Sequence, residues 1–301
     1  MTLTELRYIV VLAQEKHFGR AAKRCHVSQP SLSIAINKLE AQLKTTLFER
    51  GKNTLRVTDA GKKIIAQAQV VLEEAEKITQ IAQGEKGELR TPLKIGAIHT
   101  VAPYLFPKLV PKITKLAPDM PLILQEDFTS HLLEKLHQGE LDMIFIATTF
   151  KDSGLVSKAL YDEPFVLLLP KEHPLNQKKQ VSLQDIEKEK LLLLEKGHCF
   201  RDAIVEVCPH CYSAGNSETM HAASLETLRH MVLAGMGITI LPTSAASITH
   251  YNRTLSIKSF KEKTPKRTIS LVWRQSFPRQ QAINVILTAI QACQLNGICL
   301  I

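Results

Sequence analysis

The stretch that decides the first domain is Ala21-Ala22-Lys23-Arg24-Cys25-His26-Val27-Ser28-Gln29-Pro30-Ser31-Leu32-Ser33. Ser28 reads as a helix N-cap and Pro30 falls in the first turn, where its missing N–H costs nothing. Leu32, Ala35, Ile36, Leu39 and Leu43 then recur on one helical face. Ser31, Ser33, Asn37 and Lys38 occupy the opposite face, all able to bond phosphates or base edges. Upstream, Leu3, Leu6, Ile9, Val10 and Ala13 predict a helix over residues 4–15, and Phe18 to Arg24 a short second one. Downstream, Leu47 to Arg50 and Thr54 to Val57 flank Gly51-Lys52-Asn53 as a hairpin, which sets Arg50 and Lys52 beside the third helix as a basic wing.

Charge agrees with that arrangement. The 301-residue chain carries a formal +9, and residues 1–63 hold twelve Lys/Arg against five acids. One fifth of the length therefore carries most of the net positive charge, the distribution expected of a phosphate-binding module joined to a near-neutral partner domain. Thr58 caps a long helix to about Gln83, with Ile64, Ile65, Ala68, Val71, Leu72, Ala75, Ile78 and Ile81 as an apolar stripe. A second copy of the same helix is the simplest cover, which predicts a dimer presenting two recognition helices to two half-sites. No apolar run approaches membrane-spanning length, and Thr4, Glu5 and Arg7 break any signal-peptide pattern. The expected location is the cytoplasm, with no membrane partner and the six cysteines mostly reduced.

These residues, with Ile36, Leu39-Glu40, Leu47-Phe48-Glu49-Arg50 and Leu55 to Gly61, closely resemble the LysR-type transcription regulators. The resemblance implies that Gln29, Pro30, Ser31 and Ser33 face the major groove of double-stranded promoter DNA, and that Arg50 and Lys52 hold phosphates. It also implies RNA polymerase as a partner and a homodimer or homotetramer as the assembly.

Beyond Gly84-Glu85-Lys86-Gly87-Glu88, strand and helix patterns alternate: strands at Leu93–Ala97, Leu122–Phe128 and Leu141–Ala147, helices at Val101–Leu116 and His131–Gln138. A second unit follows, with strands at Phe165–Leu169, Lys190–Leu194, Ile238–Leu241 and Ile269–Trp273, and helices near Arg201–Val207, Ser224–Ala234 and Gln281–Leu295. The class is α/β with a parallel sheet. Domains are expected at 1–58 (winged helix-turn-helix), 59–88 (linker helix) and 89–301 (regulatory). The last divides into subdomain I, about 89–161 with 269–301, and subdomain II, about 162–268. Two such subdomains match the periplasmic-binding-protein-like effector domain of the family. Gly235-x-Gly237 lies between a helix and the next strand, the wrong order for a phosphate loop, and reads as a tight turn. In the family the cleft takes a small organic inducer, walled here by His99-Thr100 and Thr129-Ser130. Hydroxyls at such turns are more often helix N-caps than ligands, though one side chain could do both.

Gly197-His198-Cys199-Phe200-Arg201-Asp202 followed by Cys208 departs from a generic inducer-binding pattern. His198 and Arg201 flank Cys199 closely enough to favour a thiolate, the form that attacks a peroxide oxygen. The product, a sulfenic acid, condenses with a second thiol to a disulfide. If the segment between is helical, Cys208 lies about 13.5 Å along it, beyond the roughly 5.5 Å that bridged Cα atoms need. The pair is therefore a candidate switch that works by refolding.

With Ser224-Leu225-Glu226-Thr227-Leu228 downstream, the arrangement resembles the hydrogen-peroxide-sensing branch of the family. That likeness implies Cys199 as the peroxidatic and Cys208 as the resolving cysteine. It also implies that Thr100, Thr129 and His198 position peroxide, that no cofactor is needed, and that glutaredoxin or thioredoxin is the reductant. Cys211 keeps alternatives open, since it could resolve Cys199 instead, or join Cys208, His198 and His210 around zinc. A cysteine-dependent peroxidase would share the thiol chemistry but has no use for the basic N-terminal domain.

Overall fold

The computed structural model describes residues 1–50, 55–83, 88–148, 152–209, 221–246, 254–261, 264–293, 295 and 299–301. Lys52, His210 and Cys211 lie outside the described residues, as does the side chain of Arg50.

The first unit packs α1 (Leu3–Glu15), α2 (Phe18–Arg24) and α3 (Gln29–Leu43) around Ile9, Leu12, Leu32, Ile36 and Leu39, all essentially inaccessible. Each burial of this kind stabilises by about 1.5–3 kcal/mol before conformational entropy is subtracted. Local chemistry sets the helix starts. Thr2 and Glu5 form a reciprocal capping box on α1, His17 Nδ1 accepts from Gly19 N and Arg20 N on α2, and Ser28 Oγ accepts from Ser31 N at 3.2 Å on α3. Strands β1 (Phe48–Arg50) and β2 (Leu55–Val57) pair antiparallel as the wing. Thr58 Oγ1 then accepts from Gly61 N at 2.8 Å, starting α4 (Asp59–Gln83).

The regulatory part has two cores. The first is built from residues between 93 and 161 and between 269 and 293, the second from residues between 165 and 260. Around the first lie β3 (Leu93–Ile98), α5 (Ala102–Leu116), β4 (Leu122–Asp127), α6 (Thr129–His137) and β5 (Met143–Ile146). Then β6 (Leu155–Pro170) runs from one core into the other. The second core holds α7 (Leu183–Ile186), β7 (Leu191–Leu194), α8 (Cys199–Val207), β8 (His221–Ala222), α9 (Leu225–Leu233), β9 (Ile238–Pro242), α10 (Thr243–Ala246) and β10 (Leu255–Ser259). Strand β11 (Lys266–Arg274) returns to the first core, followed by α11 (Gln280–Gln291) and β12 (Cys299–Leu300).

Strand order is β4-β3-β5-β11-β6-β9-β7-β8, with β10 and β12 also on β6. The parallel sheet expected from the alternation is present within each subdomain, but antiparallel crossing strands make the whole a mixed sheet. β3 pairs parallel with β4 and β5, and β7 with β8 and β9, but β6 and β11 run antiparallel to each other and to their neighbours. The reason is connectivity: these two strands are the crossings between subdomains, not members of a βαβ unit. Gly235, at φ +72, makes the tight turn between α9 and β9.

The linker helix is tied to the regulatory part through a buried carboxylate. Glu73 of α4 accepts from Arg274 Nε and Ser276 Oγ, and all three residues are buried. Arg274 also donates to the carbonyls of Leu136 and Leu141. From α1, Gln14 Nε2 donates to Gln138 O at 2.6 Å. On either side of Glu73 along α4, Val71 and Ile78 leave apolar surface exposed. Among the described residues, no helix is long and apolar enough to cross a membrane.

Candidate functional site

Cys199 is the first residue of α8, directly after His198 at the N-cap position. Its side chain packs against the first core while the Phe200 ring enters the second, so the cysteine sits at the seam between subdomains. The start of a nine-residue helix points free backbone N–H groups and the positive end of its dipole toward this position. The preceding Gly197 has φ +104, and the Phe128 ring lies 3.3 Å from where a Cβ would stand. Glycine thus serves both the backbone angle and the approach of Phe128.

Cys199 opens on a chamber of about 10 Å³ walled by Ile98, His99, Thr100, Asp127, Phe128, Thr129, Gly197 and His198. The predicted Thr100, Thr129 and His198 therefore converge on Cys199 from three separate segments. Neither threonine caps a helix: Val101 and Phe128 hold the cap positions of α5 and α6, without side-chain hydrogen bonds. Thr129 Oγ1 and His198 Nε2 are buried, with no partner for either atom.

Burial lowers the His198 pKa below the ordinary histidine value, and nearby His99 lowers it further. The ring is neutral at pH 7. Its hydrogen bond to the Ala223 backbone fixes a proton on one nitrogen, leaving Nε2 as a buried, bare acceptor on a residue of the chamber wall. Thr100 Oγ1 accepts from Arg267 Nη1 at 2.7 Å, so its own O–H is left to donate.

Arg267 was not singled out by its position in the sequence. Arg267 Nη2 also donates to Thr100 O at 2.8 Å, and its guanidinium stacks 5.0 Å from the Phe200 centroid. Glu163 accepts from Nε at 2.8 Å in a pair that is almost wholly buried. Arg267 therefore brings a fixed positive charge close to the residue after Cys199. Arg201 is buried on the first turn of α8, 3.8 Å from Asp202, and does not line the chamber. At its rim, Asp127 is pushed up by burial, but bonds from Lys135, His131 and the Phe128 N–H outweigh this and hold it at about 2.

Cys208 stands at the far end of α8 as its C-cap residue, buried in the second core. The helix between the two cysteines is complete, so Cys199 and Cys208 do not meet in this fold. Cys199 is a free thiol, as are Cys25 and Cys293, whereas Cys208 is already disulfide-bonded. A larger cavity of about 490 Å³ lies elsewhere, between the DNA-binding unit and α6, lined by Ala13, Val57, Lys62, Lys63, Ile65 and His137 among others. It holds no cysteine and is remote from the thiol chemistry.

On α3, Gln29, Pro30 and Ser31 are exposed, while Ser33 is half-buried on the flank. The Ser31 hydroxyl shares a 2.7 Å hydrogen bond with that of Ser28. The backbone of Arg50 ends β1 opposite Leu55, at the wing.

Two family profiles match the chain: the bacterial regulatory helix-turn-helix protein of the lysR family over residues 3–62, and the LysR substrate binding domain over residues 86–294. The chain is 39% identical to a hydrogen peroxide-inducible genes activator of Dickeya chrysanthemi, covering 92% of this chain and 91% of that protein. It is 38% identical to the DNA-binding transcriptional dual regulator OxyR of Escherichia coli K12, covering 97% and 95%. Among solved structures, a full-length OxyR from Pseudomonas aeruginosa with a cysteine-to-aspartate substitution superposes with a TM-score of 0.89 at 48% identity, covering 98% and 96%. A hydrogen-peroxide-bound cysteine mutant of Corynebacterium glutamicum OxyR superposes at 0.64 with 34% identity, covering 97% and 92%. The chain thus belongs to the LysR family of helix-turn-helix transcription regulators, in the group that holds the OxyR proteins.

Proposed function

We propose that the chain is a peroxide-sensing, DNA-binding transcription regulator, an activator of oxidative-stress genes switched by reversible oxidation of Cys199 to a disulfide with Cys208. The observation that carries this reading is the chamber at Cys199, about 10 Å³ with two unpartnered buried polar atoms in its wall. That volume suits one molecule hardly larger than water. Hydrogen peroxide offers two O–H donors and two accepting oxygens, complementary to the His198 Nε2 acceptor and to the hydroxyls of Thr100 and Thr129. An organic inducer needs a pocket of roughly 300 Å³ or more, which the chamber does not offer.

In the first step the Cys199 thiolate attacks one peroxide oxygen. The S–O bond forms, the O–O bond breaks, and the departing oxygen takes a proton to leave as water. Condensation of the sulfenic acid with a second thiol then releases a second water and forms the disulfide. Cys208 takes part only as a thiol, so its present disulfide must first be reduced, and α8 must unwind for the two sulfurs to meet. Arg201, on the turn that unwinds, supports thiolate formation from outside the chamber. Each oxidation of Cys199 serves as a signal to the DNA-binding unit, which makes the chain a regulator and not a dedicated peroxidase.

The remaining assignments rest on family likeness and on surface chemistry. Gln29, Pro30, Ser31 and Ser33 enter the major groove of promoter DNA, and Arg50 and Lys52 hold its phosphates. The exposed Val71 and Ile78 of the linker helix fit a subunit contact, giving a homodimer or homotetramer that works in the cytoplasm with RNA polymerase. Glutaredoxin or thioredoxin returns the disulfide to thiols.

Cys199→Ser tests the reading. It should abolish peroxide-dependent transcription and leave DNA binding in place; unaltered induction would overturn it. Mass spectrometry of the peroxide-treated protein distinguishes Cys208 from Cys211 as the partner of Cys199.

A further inference from the structure

Helix α3 turns Leu32, Ile36 and Leu39 into the core, each 1% exposed or less. At about 100° per residue, the direction opposite that core belongs to Pro30, Ile34 and Ala41, flanked by Asn37 and Lys38. All five are exposed, and Ile34 stands 67% clear of the protein. A β-branched residue gains nothing from such a position, since it is a weaker helix former than alanine or lysine and buries no surface there. Nor does it extend into an apolar patch of the size that marks a protein interface, because Asn37 and Lys38 border it. With Pro30 one turn before it, Ile34 forms a small apolar spot bordered by Asn37 and Lys38.

The duplex major groove offers one apolar group of matching size, the C5-methyl of thymine. We propose that Ile34 reads a thymine methyl in each half-site and is a specificity residue of this regulator, with the polar neighbours on α3 fixing its register. The inference rests on the proposed entry of α3 into promoter DNA. It adds a base preference that hydrogen-bonding residues alone would not create.

The test uses the full-length protein and a random-sequence duplex library. The wild type should enrich a T·A pair at one symmetric position per half-site. Ile34→Ser should lose the preference there and keep the others, and Ile34→Val should retain it. Replacing that thymine by uracil removes only the methyl. It should weaken wild-type binding about 4-fold per half-site and leave Ile34→Ser unaffected.

Equal wild-type affinity for thymine and uracil duplexes, with sequence-selective binding intact, would overturn the role of Ile34 alone. Failure of the wild type to enrich any sequence would overturn the DNA-reading assignment and this inference with it. A change of oligomer size on Ile34→Ser, read by light scattering, would place Ile34 at a subunit contact and overturn the proposal.

Discussion

Arg267 and Arg274 lie on one strand, the first fastened to Thr100 at the Cys199 chamber and the second to Glu73 of the linker helix. Seven residue steps of strand separate them, about 23 Å. A single extended segment thus has one cationic end at the thiol site and the other at the helix leading to the DNA-binding unit. Both ends are buried ion pairs, which hold geometry strictly because an unpaired partner is costly.

Arg267→Met leaves the Glu163 carboxylate buried without its cation, and about 3–5 kcal/mol of stability should be lost, read as a drop in Tm. Adding Glu163→Gln should recover much of the Tm. It should not recover the rate at which Cys199 reacts with peroxide, because Thr100 has lost its donor. Recovery of both would make Arg267 purely structural.

Thr129→Val is close to isosteric and removes a buried hydroxyl that has no partner. Stability should hold or rise by up to about 1 kcal/mol. Oxidation of Cys199 followed by stopped flow should slow about 10-fold, the worth of one hydrogen bond near 1.4 kcal/mol in the transition state. An unchanged rate would remove Thr129 from the site.

His198 binds its proton less readily in the folded chain than in the unfolded one, through burial first and His99 second. As pH falls below about 6.5 the unfolded chain takes up the proton first. Native stability should therefore be complete above that value and decline below it until the folded ring itself titrates. Tm measured from pH 8 to pH 5 should fall less steeply for His198→Asn, which keeps a polar side chain but cannot titrate. Parallel curves would refute the assignment.

Glu73→Ala should separate sensing from response. Arg274 and Ser276 lose a shared buried acceptor, at a cost of about 3 kcal/mol. The rate of Cys199 oxidation should stay at the wild-type value while peroxide-induced transcription falls. Equal loss of both would show that the contact only stabilises the fold.

Much of this was legible in the residues. The Ser28 cap, the Leu32/Ile36/Leu39 stripe and the wing follow from local periodicity and capping, and the structure places α2 and α3 as those signals indicate. The likeness to LysR regulators stands on the same residues. The convergence of Thr100, Thr129 and His198 was also accessible, through the likeness of their motifs to those of the family. Arg267 and Glu163 were not, because Arg267 meets Glu163 and Thr100 from 104 and 167 residues away along the chain, and nothing local marks a long-range ion pair. The first half of β6 was missed for a related reason: Ser157, Lys158 and Asp162 interrupt its apolar pattern where it crosses between cores. Ile34 falls outside the Leu32/Ile36/Leu39 stripe, but only the packing of α3 shows how far it stands clear of the protein.

The chamber beside Cys199 also acts as a sieve. A site with room for little more than one water cannot admit the alkyl group of an organic hydroperoxide without displacing Phe128 or His99. tert-Butyl hydroperoxide carries an O–O bond too, so the ratio of the two rates at Cys199, set against the same ratio for a free thiol, would isolate the effect of size. On this geometry the smallest peroxide reaches the thiol most readily, a selectivity by steric exclusion added to whatever the thiol's own reactivity supplies.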